Sequence, residues 1–146
     1  MRAFGGLALI VSLACGGARQ PHLEFAPDHA ALASVRTIYL GDFGSTEGAD
    51  LVREKIRLRL LNSQRFAVVE TSEKADAVLA GSVGIDRSTT NGTTDYAGIG
   101  LLRLVDQRTQ KTIWAHEYTR GYMLSGSVST RVANQMVDQL LADAKQ

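Results

Sequence analysis

The eleven residues Ala75-Asp76-Ala77-Val78-Leu79-Ala80-Gly81-Ser82-Val83-Gly84-Ile85 constrain the fold more than any other part of the chain. Between Asp76 and Asp86 there is neither charge nor proline, and small residues recur, so neighbouring backbones can approach closely. A strand with one wet face alternates apolar with polar residues. This stretch does not, and it predicts a central strand covered on both faces. The flanking segments then have to supply its neighbours and its cover.

At 146 residues the chain has the length of one domain. Sixteen basic residues against fifteen acidic ones leave a formal charge of +1, which gives no electrostatic case for binding nucleic acid. The single cysteine, Cys15, excludes a disulfide within the chain and a multi-cysteine metal site. His22, His29 and His116 are scattered without ligand spacing. No metal, cofactor or small-molecule substrate is expected. A nucleophile–base pair is missing as well, so the chain is not expected to be an enzyme.

The first fourteen residues read as a signal peptide. Arg2 forms a short positive region, and an apolar run from Ala3 to Ala14 follows that is too short to span a bilayer. The run ends at Leu13-Ala14-Cys15-Gly16-Gly17, which resembles the lipobox of bacterial lipoproteins, with Ser12 where an aliphatic residue is usual. That resemblance implies lipidation (palmitate among the acyl chains) of Cys15 as the new N-terminus. Several acyl chains give stable anchoring, and Gly16 carries no inner-membrane retention signal of the Asp type, so the expected site is the outer membrane. The alternatives are a secretory signal cut after Ala18, which would leave a soluble periplasmic protein, and a buried N-terminal helix. Residues 15–34 hold both prolines, Pro21 and Pro27, and no lasting period. They read as a tether reaching roughly 20–30 Å, in which Leu23 and Phe25 could pack as a short edge segment. The folded domain is expected over 35–146.

Within it, Val35–Leu40 is rich in β-branched and aromatic residues and predicts a strand. The turn-rich loop 41–48 follows, and then a helix over Ala49–Asn62. Ala49, Val52, Ile56 and Leu60 make its apolar stripe, which Leu51, Leu58 and Leu61 are expected to widen. Arg53, Lys55, Arg57 and Arg59 fall on the outer face, either as a basic patch or as a solvated surface. The Gly41–Ser45 loop lacks the lysine of a phosphate loop and the glycine spacing of a dinucleotide site, so its glycines read as turn residues. Arg65–Glu70 is a second strand. Strand, helix and strand in this order imply a right-handed parallel crossover.

The second half changes character. Residues 86–98 are polar and contain Asn91-Gly92, a strong hairpin-turn signal. Strands at 99–106 and 111–119 complete an antiparallel meander with the central stretch. Trp114, His116 and Tyr118 share one face of the last strand and read as packing under a helix or as a binding row. A final helix, capped near Ser127 or Ser129, carries Val128, Val132, Met136 and Leu140 at four-residue intervals. The fold class is therefore α/β of the α+β kind: one mixed sheet with two main helices packed on it.

Several motifs line up in order. Asn62-Ser63-Gln64-Arg65-Phe66-Ala67-Val68-Val69-Glu70 precedes Ala75-Asp76-Ala77-Val78-Leu79-Ala80-Gly81. Val105-Asp106-Gln107-Arg108-Thr109 and Ile113-Trp114 follow. This succession resembles the small envelope domain of the CsgG, LpoB, PelC and TolB N-terminal group over roughly residues 35–142. Gln110 stands where that hairpin usually has glycine, which implies a different turn geometry, and the membrane-inserting hairpins of the CsgG pore have no counterpart. The resemblance implies a non-catalytic adaptor on a lipid leash at the periplasmic face of the outer membrane. Its partner would be an envelope protein of peptidoglycan synthesis, secretion or polysaccharide export, or further copies of itself in a ring or conduit. Partner contacts are expected on the 86–98 hairpin, at Arg87, Asn91 and Tyr96.

Overall fold

The computed structural model describes residues 25–123 and 128–146. The expected signal peptide, Cys15 and Leu23 lie outside the described residues, as does Ser127. The described chain runs through α1 (His29–Ser34), β1 (Thr37–Leu40), α2 (Ala49–Ser63), β2 (Ala67–Val69), a 3-10 turn (Ser72–Lys74), β3 (Ala77–Thr90), β4 (Thr93–Asp106), β5 (Thr112–Met123) and α3 (Val128–Asp143). The strands form one mixed sheet in the order β2-β1-β3-β4-β5. β1 pairs in parallel with both β2 and β3, while β3, β4 and β5 form the antiparallel meander. The fold class is the one the sequence implies, with α1 as an added short helix.

α2 and α3 lie side by side on one face. Lys55 reaches the Thr130 hydroxyl and Arg59 the Asp138 carboxylate between them. Val52, Ile56 and Leu60 from α2 join Val132, Met136 and Leu140 from α3 over Ile38, Leu79, Leu102 and Leu104 in a single core. Close approach is bought with glycine: a Cβ on Gly98 would lie 2.5 Å from Val132 Cγ2, and one on Gly100 would lie 2.7 Å from Met136 Cε.

The expectation that the central strand is covered on both faces is corrected. In β3, Ala77, Leu79 and Val83 are buried, but Val78, Ala80 and Gly84 are only partly covered and Ser82 is exposed. The crossover helix and the C-terminal helix return to the same side of the sheet, so among the described residues no helix lies over the second face. Its absence of charge comes from an apolar surface rather than from a second layer.

Three further expectations change. The tether was expected to reach residue 34, but α1 belongs to the domain: Asp28 N–H donates to Ile113 O, Leu32 is fully buried, and Asp28 Oδ1 accepts from Ala31 N–H as a cap. The 86–98 segment is the hairpin that Asn91-Gly92 signals, but the strand expected from residue 99 begins at Thr93, because the β3–β4 ladder continues without a break to Thr90 opposite Thr93. Only Asn91 and Gly92 turn, at φ 51° and 78°, the two left-handed residues of a type I′ turn. Leu51, Leu58 and Leu61 do not widen the core face of α2, since each is 42–53% exposed.

The motif residues have structural uses. Asp76 Oδ2 accepts the N–H groups of Arg36 and Thr37 at 2.8 and 2.9 Å, joining the start of β3 to that of β1. A Cβ on Gly81 would sit 2.0 Å from Leu101 O. Arg65 stacks 4.5 Å from the Phe66 ring centroid and donates to Val35 O and Ala33 O behind α1. Asp106 Oδ1 accepts from Thr109 N–H and Oγ1, and Gln110 takes φ 57°, the conformation that glycine adopts most easily.

Candidate functional site

The hairpin's inner half helps to build a concavity. Arg87 and Tyr96 are cross-strand partners, and the Arg87 guanidinium lies 5.7 Å from the Tyr96 ring centroid. Arg87 also pairs with Glu47, just before α2. Two of the three expected contact residues are thus brought together, and Tyr96 packs on the core. Asn91 is four residues beyond Arg87, roughly 13 Å along the strand, and its left-handed φ makes it the turn former of the hairpin.

Below that pair lies a groove of about 350 Å3, lined by Glu47, Gly48, Leu51, Lys55, Ile85, Tyr96, Val128 and Ser129. Its floor is apolar and its rim carries one carboxylate and one ammonium. Leu51 and Ile85 were missed as wall residues by sequence reasoning. The available signal was angular: Leu51 is one residue, about 100°, out of phase with Val52 of the buried stripe.

A second hollow of about 230 Å3 lies beneath Asp76 and Asp106. Both carboxyls are held below their usual value, Asp76 by backbone N–H groups of Arg36 and Thr37, Asp106 by Thr109 N–H and hydroxyl, with burial opposing in each case. Both are committed to neighbouring backbone. Their hydrogen bonds explain the shifts without any catalytic role.

The basic residues of α2 are likewise engaged. Arg53 donates to Leu40 O and Gly41 O, Lys55 to Thr130, and Arg59 to Asp138, while Arg57 lies 3.5 Å from Glu54. The loop after β1 runs beside β3, with Gly81 N–H donating to Asp42 O and Val83 N–H to Phe43 O. Gly44 and Gly48 take φ 86° and 82° as turn residues. In the β5 row, Trp114 is buried under α3 and His116 is tilted against it at 6.0 Å. Burial pushes the imidazole below its usual pKa, while Asp143 and Glu117 pull the other way. Among the described residues no cluster of three or more His, Cys, Asp or Glu side chains could hold a metal ion, and no helix is long and apolar enough to cross a membrane.

No family model matches the sequence, and no curated protein matches it significantly. Solved structures do share the fold. A PelC dodecamer from Paraburkholderia phytofirmans is similar at 16% identity and TM-score 0.55, covering 75% of this chain and 86% of that one. The XCC0632 protein of Xanthomonas campestris is similar at 13% identity and TM-score 0.55, covering 77% and 86%. A minor lipoprotein from Acinetobacter baumannii is similar at 12% identity and TM-score 0.51, covering 74% and 94%. At such identities the likeness establishes a common fold, which the Acinetobacter lipoprotein shares.

Proposed function

We propose that this protein is a non-catalytic accessory subunit of a bacterial envelope machine, anchored through a lipidated Cys15 at the periplasmic face of the outer membrane. The observation that carries the reading is the groove under the Arg87–Tyr96 pair, whose apolar wall is Leu51, Ile85 and Val128 and whose Glu47 and Lys55 are engaged with Arg87 and Thr130. The occupant is a segment of another envelope protein with an apolar side chain for the floor and polar groups for Lys55 and Glu47. The resemblance to the CsgG, LpoB, PelC and TolB group and the lipoprotein among the fold neighbours support the envelope setting.

Two experiments test it. Cys15→Ala is expected to abolish lipid labelling and membrane fractionation; unchanged membrane association would sink the anchor. Tyr96→Ala with Leu51→Ser is expected to leave the circular dichroism spectrum intact while a partner captured by in-cell crosslinking is lost. Retained capture would move the contact elsewhere. A second reading, a self-assembling ring or conduit component, is favoured by the exposed leucines of α2 that lie beyond the groove.

A further inference from the structure

Two apolar surfaces stand on opposite sides of the domain. On α2, Leu51, Glu54, Leu58 and Leu61 are exposed. At about 100° per residue they fall within an arc of roughly 80°, centred opposite the buried Val52, Ile56 and Leu60. They form a straight ridge that points away from the sheet. Leu51 and Leu58 are 53% and 51% exposed. The adjacent α3 has no such ridge, since its exposed positions are Arg131, Gln135, Asp138 and Ala142.

The other surface is the sheet face over which no described helix lies. Ladder partners share a face, so Val78 with Val105, Ala80 with Arg103 and Gly84 with Ile99 all lie there, as does Leu101 opposite Ser82. Ile99 and Leu101 are 49% and 54% exposed. Small residues at Ala80, Ser82 and Gly84 leave a shallow trough beside these two large ones. A convex leucine ridge and a flat trough are complementary in shape. They are complementary in charge as well: Glu54 sits within the ridge beside Arg57, and the sheet face carries Arg103 and, opposite Leu101, Glu117.

We infer that copies of this chain assemble head to tail, the α2 ridge of one seated on the open sheet face of the next, with Glu54 meeting Arg103 across the contact. This rests on the self-assembly reading and names its interface. The two surfaces differ and lie on opposite sides, so the contact is heterologous. A heterologous contact repeats around a ring when the rotation closes and along a filament when it does not. Exposed apolar surface on both sides of so small a domain is accounted for in one step.

The test uses the full chain purified in detergent, with mass measured by light scattering and sedimentation. The wild type is expected to be a multimer. Leu58→Glu spoils only the ridge and Leu101→Glu only the trough, and each is expected to weaken assembly at least tenfold while keeping the native circular dichroism spectrum. Mixing the two variants is expected to give a dimer and nothing larger, because one intact ridge and one intact trough remain. Glu54→Arg and Arg103→Glu are each expected to weaken assembly, and the double swap to restore it. A multimer that both leucine variants leave unchanged overturns the interface while sparing self-assembly. A wild type that is monomeric at every concentration reached overturns both, and leaves the chain's own first residues or another protein as the cover of the open face.

Discussion

Trp114 Nε1 donates to Asp143 Oδ2 at 2.8 Å, joining the last residue of α3 to the buried side of β5. Asp143 is 9% exposed and collects two more partners: Gln139 Nε2 donates to both its carboxylate oxygens at 3.1 Å, and its backbone oxygen lies 3.0 Å from His29 Nδ1. Strand, C-terminal helix and the short α1 therefore meet at one residue. Removing the carboxylate leaves the buried indole N–H unpaired, a loss of about 1–3 kcal/mol. Asp143→Ala is expected to lower the urea midpoint accordingly. Trp114→Phe is expected to cost a similar amount, and the double variant less than the two together, because the lost bond is then counted once. Strictly additive losses, followed by circular dichroism, would show that the bond contributes nothing.

Gly81 and Gly100 have the same residue type and different reasons for it. A Cβ on Gly81 meets a backbone carbonyl at 2.0 Å, whereas one on Gly100 meets the end of the Met136 side chain at 2.7 Å and Val83 Cγ1 at 3.3 Å. A methionine tip can swing aside, but a carbonyl paired in the ladder cannot. Gly100→Ala is expected to cost about 1 kcal/mol and Gly81→Ala about 3 kcal/mol or more. Thermal melts of both check the ranking, and a reversed order would contradict the packing described for β3 and β4.

Gln64 ends α2 in the left-handed region at φ 55°, its N–H donating to Leu61 O, and its side chain is exposed. Glycine holds this position without a Cβ penalty. Gln64→Gly is expected to raise stability by about 0.5–1 kcal/mol, read as a higher melting temperature. A lower one would mean that the glutamine side chain contributes more than its conformation costs.

Sheet, crossover and meander were legible because their signals are local: β-branched runs, the Asn91-Gly92 turn, and the four-residue apolar repeat of α3. The open face was not legible, for a physical reason. Val78, Ala80, Ile99 and Leu101 read as buried by hydrophobicity, and no single-strand pattern tells which side of a sheet the helices return to. The leucines of α2 were misread similarly: Leu51, Leu58 and Leu61 seem to widen the stripe of Val52, Ile56 and Leu60 until their angles are laid out. At the candidate site, Arg87 and Tyr96 could be paired from the hairpin register, but the groove also needs Leu51 and Val128 from elements distant in sequence.

Asp76 sets an acid limit on the fold. The N–H groups of Arg36 and Thr37 hold its carboxyl below the ordinary value of 3.8, so the folded state takes up its proton at lower pH than the unfolded chain does. Its contribution is therefore fully present above that ordinary value and is lost as pH falls from there through the folded one. Asp106 is lowered as well, by Thr109, and adds in the same window. Asp76→Asn is expected to cost about 1 kcal/mol at neutral pH, since an uncharged amide oxygen accepts the two N–H groups more weakly. Below pH 4 the variant's stability is expected to fall less steeply than that of the wild type, and Asp76→Asn with Asp106→Asn less steeply still. Urea titrations at a series of pH values measure the slopes directly. Parallel slopes for wild type and double variant would show that neither carboxylate is linked to folding, and that the hydrogen bonds at the heads of β1 and β3 do not distinguish its charged from its neutral form.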